Sequence, residues 1–142
     1  MPLTKEYVQK IFGHAVKNEM TELFSYLRDD VKSTIFNDEV KASFPAGSYD
    51  SKMGYITAMT PLYSILTHDP DIHITRIMIA DGNTAIVQMN TYGVGKKDGK
   101  RYANPNCYVL EFEDVEENPK IKTLTKYADS AVLQQFYENN KD

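Results

Sequence analysis

The spacing of apolar residues changes near Asp71, and no other feature of this chain constrains its fold as strongly. Before that point, Tyr7, Val8, Ile11, Phe12 and Ala15 recur at helical spacing behind Thr4, whose hydroxyl can cap the first turn. Met20, Leu23, Phe24 and Leu27 mark a second, shorter helix ending at the acidic pair Asp29-Asp30. Val31, Ser33 and Ile35 alternate with Lys32 and Thr34 as in a strand, and a turn-rich stretch with Pro45, Gly47 and Asp50 follows, read as a loop near a pocket mouth. Ser51 then caps a third helix with Tyr55, Ile56, Met59, Leu62, Tyr63 and Leu66 on one face, bent at Pro61, which lacks a helical donor.

After Asp71 the period becomes strand-like. Segments 72–80 and 84–92 flank Asp81-Gly82-Asn83, turn residues that tolerate positive φ, so a hairpin is the economical connection. Further strands are predicted over 101–112 and 121–127, and Asp129 or Ser130 caps a closing helix through Val132, Leu133, Phe136 and Tyr137. Antiparallel strands following helices give an α+β class. Four or five strongly twisted strands wrapped around a long helix leave a cone whose wide mouth the helices cannot fill.

Composition narrows the function. A chain of 142 residues is one ordinary domain that buries roughly two thirds of its unfolded surface without a metal or disulfide staple. A net charge of -4 gives no basic field for phosphate backbones, which argues against nucleic acid as a partner. Cys107 has no second cysteine to pair with, no apolar run approaches the roughly 20 residues of a membrane span, and Met1 to Glu6 carry no secretory-type apolar stretch. The expectation is a cytoplasmic protein with no membrane partner. Ten Tyr and six Phe supply aromatic surface for a core or for a pocket whose phenols donate hydrogen bonds.

The familiar catalytic signatures are missing: no Ser-His-Asp order, phosphate-binding glycine loop or dinucleotide fingerprint occurs, and no cofactor is expected. His68, Asp69, Asp71 and His73 cluster in sequence but straddle a helix end, Pro70 and a strand start, which is poor metal-ligand spacing, so no metal is expected.

The runs Asp30-Val31, Pro45-Ala46-Gly47-Ser48-Tyr49-Asp50-Ser51-Lys52, segment 102–112, and Lys120-Ile121 followed by Tyr127-Ala128-Asp129-Ser130 together resemble the SnoaL-like branch of the nuclear transport factor two-like superfamily, over most of the chain. The resemblance implies a single domain over 1–142 with a cystatin-like α+β barrel, a mostly apolar cavity, and often a homodimer through the outer face of the sheet. Relatives include polyketide cyclases, ketosteroid isomerases and limonene epoxide hydrolases. Their catalytic groups do not carry over. Met89, Thr91 and Lys126 occupy the positions of the epoxide hydrolase acid-base set, and Ser33 and Ile35 those of its water holders; the first-strand carboxylate of ketosteroid isomerases maps to Ile35, with Asp38 close behind.

The same correspondence places Ser33, Met89, Thr91, Asn104, Asn106 and Tyr108 on the cavity side, and helix three adds Tyr55 and Met59. Asn104 and Asn106, two apart, project to one side as paired amides, or else they form a polar strand start with Pro105 marking an edge. Lys126 is the sharpest candidate: in an apolar cone its ammonium must be paired, titrate downward, or hold an acidic substrate, whereas a one-residue slip would turn Tyr127 inward and leave Lys126 a solvated strand lysine. Asp129 is a rim acid or base, or the N-cap of the last helix. Lys126, Asp129 and Asp38 are therefore the catalytic candidates. They frame two functions: a cofactor-independent isomerase, cyclase or dehydratase acting by proton transfer on a polyketide- or terpenoid-like substrate, or a non-catalytic small-molecule-binding or dimerisation module.

Overall fold

The computed structural model describes residues 3–36, 39 and 45–142. Helices α1 (Lys5–Val16) and α2 (Met20–Phe24) lead into strand β1 (Leu27–Ile35), then β2 (Gly47–Tyr49) and helix α3 (Lys52–Ser64). Strands β3 (Asp71–Ala80), β4 (Thr84–Val94), β5 (Arg101–Phe112) and β6 (Ile121–Ala128) follow, and helix α4 (Ser130–Asn140) closes the chain. The strands form a six-stranded sheet in the order β2-β1-β6-β5-β4-β3.

Local chemistry accounts for the element starts. The hydroxyls of Thr4 and Ser51 accept from the backbone N–H groups of Tyr7 and Gly54, satisfying donors that a helix leaves unpaired in its first turn. Asp81 and Gly82 both have positive φ in the β3–β4 turn, the conformation that their residue types make cheap. Pro61 lies within α3, as its sequence position requires.

Three features differ from the sequence expectation. The second helix stops at Phe24, and Asp29-Asp30 belong to β1, where Asp30 points outward and pairs with Arg28 at 2.7 Å. The supposed loop at 45–50 contains β2, which pairs antiparallel with β1 through Ser33, Thr34 and Ile35. The sheet is also mixed, because β1 runs parallel to β6 while the remaining neighbours are antiparallel. Periodicity reports which face a strand buries and says nothing about which neighbour it takes.

Register irregularities interrupt β1 against β6, β3 against β4 at Ile74/Arg76, and β5 against β6 at Glu111/Phe112. Such bulges bend and twist strands, curving the sheet around its helices. The inner face presents Val87, Leu110 and Phe112, all fully buried, to Val8 and Ile11 of α1, while α3 packs over β1 and α4 over β5. The core is thus continuous at one end of the cone, and the functional question concerns the other end.

Candidate functional site

At that other end, α1, α2, α3, α4 and the inner face of the sheet enclose a cavity of about 130 Å³. Alternation along the strands decides what faces it. On β5 the even residues Tyr102, Asn104, Asn106 and Tyr108 point inward; across the ladder Met89 pairs with Asn106, Thr91 with Asn104, and Lys126 with Tyr108. Helix α3 contributes Tyr55 and Met59, four residues apart on one face, with Tyr63 one turn further.

Lys126 is turned inward with only 7% of its surface exposed, whereas Tyr127 is 52% exposed, so the strand register falls on the lysine side. Its Nζ lies 5.5 Å from the centroid of the Tyr108 ring, a cation–π arrangement. No carboxylate among the described residues lies within 4.0 Å of that nitrogen. Asn106, also 7% exposed, donates from Nδ2 to Thr91 Oγ1 at 2.7 Å and to the Asn104 carbonyl at 3.2 Å, which leaves its side-chain carbonyl as the face offered to the cavity. Asn104 instead accepts at Oδ1 from the backbone N–H of Asp129, at 2.9 Å.

Two of the cavity phenols, Tyr55 and Tyr63, are held in their protonated form. Burial, followed by the nearby phenols of Tyr108 and Tyr63 and a side-chain hydrogen bond with Tyr108, pushes the Tyr55 hydroxyl well above the ordinary range. Tyr63 is also raised, through burial first and Tyr108 second. Although 40% of the Tyr63 residue is exposed, its hydroxyl lies 3.9 Å from the sulfur of Met20, another residue of the cavity lining.

The remaining candidates fall elsewhere. Ser33 is 3% exposed but does not line the cavity. It sits on the inner face of β1 beside Leu124, between Val31 and Ile35; the cavity wall reaches across the sheet only to Lys126, and β1 beyond it is packed solid. Its hydroxyl has no hydrogen-bond partner among the described residues. Asp129 is the N-cap of α4, accepting from the Val132 N–H at 3.2 Å, and its side chain is not part of the cavity lining. Asp38 lies outside the described residues. His73 pairs with Asp71 at 3.1 Å while His68 bonds the Asp69 carbonyl, so these residues do not converge; among the described residues, no three metal-ligating side chains group together.

Sequence reasoning did not single out Tyr102, Tyr63, Leu133 or Phe136, which also line the cavity. The same β5 alternation that selects Asn104 and Asn106 reaches Tyr102, and helical spacing from Met59 reaches Tyr63. The Phe136 ring, 4.6 Å from that of Tyr102, carries no such local signal, because the way α4 folds back over β5 is a tertiary fact.

An α+β cone with a wide end lined by apolar side chains, phenols and an amine defines a class of architecture. No protein-family model matches the chain, and no curated protein matches it significantly. Solved structures do share its architecture. Bal32a, from a soil-derived mobile gene cassette, is 14% identical with a TM-score of 0.73 over 93% of this chain and 94% of that one. A nuclear transport factor two-like protein of unknown function from Burkholderia pseudomallei is 13% identical with a TM-score of 0.72 over 96% of each chain. A protein with a ketosteroid isomerase-like fold from Catenulispora acidiphila, in complex with trimethylamine, is 12% identical with a TM-score of 0.68 over 96% of this chain and 95% of that one. The chain thus has the fold of the nuclear transport factor two-like superfamily.

Proposed function

We propose that this protein, a SnoaL-like member of the superfamily, binds a small polyketide- or terpenoid-like molecule in the cone and isomerises or cyclises it by proton transfer, without a cofactor. The observation that carries the reading is the Lys126 ammonium, which faces the cavity over the Tyr108 ring with Asn106 on the same wall. When a proton leaves a carbon next to a carbonyl, negative charge collects on the carbonyl oxygen. The Lys126 ammonium and the cavity phenols, already fixed in place, stabilise that oxyanion without reorganising, and the group that took the proton returns it at the new carbon. The leaving proton needs an acceptor: Asp38, three residues beyond the end of β1, is the carboxylate proposed for it, because Asp129 caps α4 with its side chain outside the lining. The Catenulispora neighbour with this fold was solved in complex with a small organic molecule, trimethylamine.

The test is hydrogen–deuterium exchange at the benzylic carbon beside the carbonyl of phenylacetone, a single-ring ketone, followed by NMR. The protein is expected to accelerate exchange over buffer, and Lys126→Met and Tyr108→Phe each to lower the acceleration at least about tenfold. Asp38→Asn is expected to abolish the acceleration, whereas Asp129→Asn, which keeps the cap oxygen, is expected to leave it. No acceleration by the wild-type protein, or acceleration untouched by both cavity variants, rejects catalysis. A second reading, a non-catalytic binding or dimer-forming module, is favoured by the lack of a carboxylate among the described lining residues. In either reading the outer face of the sheet, where half-buried Ile86, Val109 and Thr125 form a row across β4, β5 and β6 and Tyr127 projects beside Cys107, suits a homodimer.

A further inference from the structure

The cavity's charge is one-sided. Among the described residues lining it, Lys126 is the sole formally charged side chain, and the other titratable groups are the phenols of Tyr55, Tyr63, Tyr102 and Tyr108. The Lys126 ammonium faces an apolar wall, where part of its hydration is replaced by groups that carry no opposite charge, at a cost in free energy. A tyrosine face at 5.5 Å returns only part of that. Tyr55 and Tyr63 resist ionisation because they are buried beside other phenols, so neither becomes the missing counter-charge. What remains in the wall is apolar: Phe12, Met59, Leu62, Met89 and Phe136 among others.

We infer that the site selects organic monoanions, namely a carboxylate, enolate or phenolate carried on a single flat ring, with the anionic oxygens on Lys126 and the ring among the apolar side chains. Ring size follows from volume: a cavity of about 150 Å³ accepts benzene, and this one measures about 130 Å³ before its occupant extends toward the mouth. Fork-like recognition of an anion requires donors, and Lys126 supplies three N–H bonds with neighbouring phenols able to add O–H donors. Positive charge in the wall also rejects cations and gains nothing from neutral isosteres, so selectivity arises from the same group that supplies affinity. The inference rests on the cavity being the small-molecule site, and it names the chemical class admitted there.

Benzoate and benzamide have nearly the same shape and differ in charge at neutral pH, which makes them suitable probes. Titration calorimetry on the full chain is expected to show benzoate bound at least about tenfold more tightly than benzamide. Lys126→Met, which keeps an unbranched side chain and removes the ammonium, is expected to abolish that preference while benzamide binding and the thermal unfolding transition are retained. Equal or tighter binding of benzamide by the wild-type protein overturns the anion inference and leaves the small-molecule reading standing. Binding of neither probe overturns both. A benzoate preference that survives Lys126→Met also overturns the assignment, because the anion is then held elsewhere.

Discussion

Single side chains in this fold have their roles set by which atoms surround them. Tyr7 illustrates this at the narrow end of the cone, where its hydroxyl donates to the Pro119 carbonyl at 2.7 Å. Burial first, then the neighbouring Tyr26 and Glu113, raises its pKa from 10.0 to about 12. A folded-state pKa above the unfolded value means that the folded chain holds this proton more tightly, so stability is intact below pH 10 and declines as pH rises from 10 towards 12. Tyr7→Phe is expected to make that decline shallower in urea unfolding across the alkaline range, at a cost of about 1 kcal/mol near neutral pH from the lost hydrogen bond. The identity of Lys126 as a candidate was legible from residue type, because a lysine among alternating strand residues must choose a side. Its inward direction was not, since one register step exchanges Lys126 for Tyr127 and local pattern does not fix register. Ser33 shows the converse: its inward direction is correct, but where the cavity ends depends on how Val31, Ile35 and Leu124 pack around it.

At the level of elements, α4 matters most to the site, because Leu133 and Phe136 form part of the wall. The far end of that helix is held by Asn140, which is fully buried. Its Oδ1 accepts from the backbone N–H groups of Lys97 and Asp98 at 2.9 and 3.1 Å, and its Nδ2 donates to the Phe136 carbonyl at 2.9 Å. Gly95 leaves the room for this clasp, since a Cβ there would collide with the side chains of Asn140 and Asp98. Asn140→Ala strands two buried donors and is expected to destabilise the protein by roughly 1–3 kcal/mol, read from the urea midpoint at unchanged slope. Helix and strand identities followed from period and caps: Thr4, Ser51 and Asp129 all stand where capping chemistry places them. The end of α2 did not, because Asp29-Asp30 reads equally as a helix stop and as the outward edge of a strand whose Arg28 neutralises it.

For the molecule as a whole, β5 serves two surfaces at once. Its even residues line the cavity and its odd residues, Val109 and Cys107 among them, face outward. If the outer face is the dimer interface, Val109→Lys is expected to convert a dimer into a monomer in sedimentation velocity while leaving the fold intact; a monomeric wild-type protein sinks that proposal. Helices on one side of a twisted sheet were legible from the order of elements, whereas the parallel β1–β6 pairing depends on contacts distant in sequence and left no local trace. The same long-range closure sets the extent of the cavity, so the identity of several strand residues lining it could be foreseen better than its boundary.

An amine set in an apolar wall has an evolutionary reading. Replacement of an unpaired lysine there by an uncharged, unbranched side chain tends to be neutral or favourable for folding, so drift under selection for stability alone would erase Lys126. If Lys126→Met melts at or above the wild-type temperature, the persistence of lysine at this position speaks for a use in the living organism that stability does not supply.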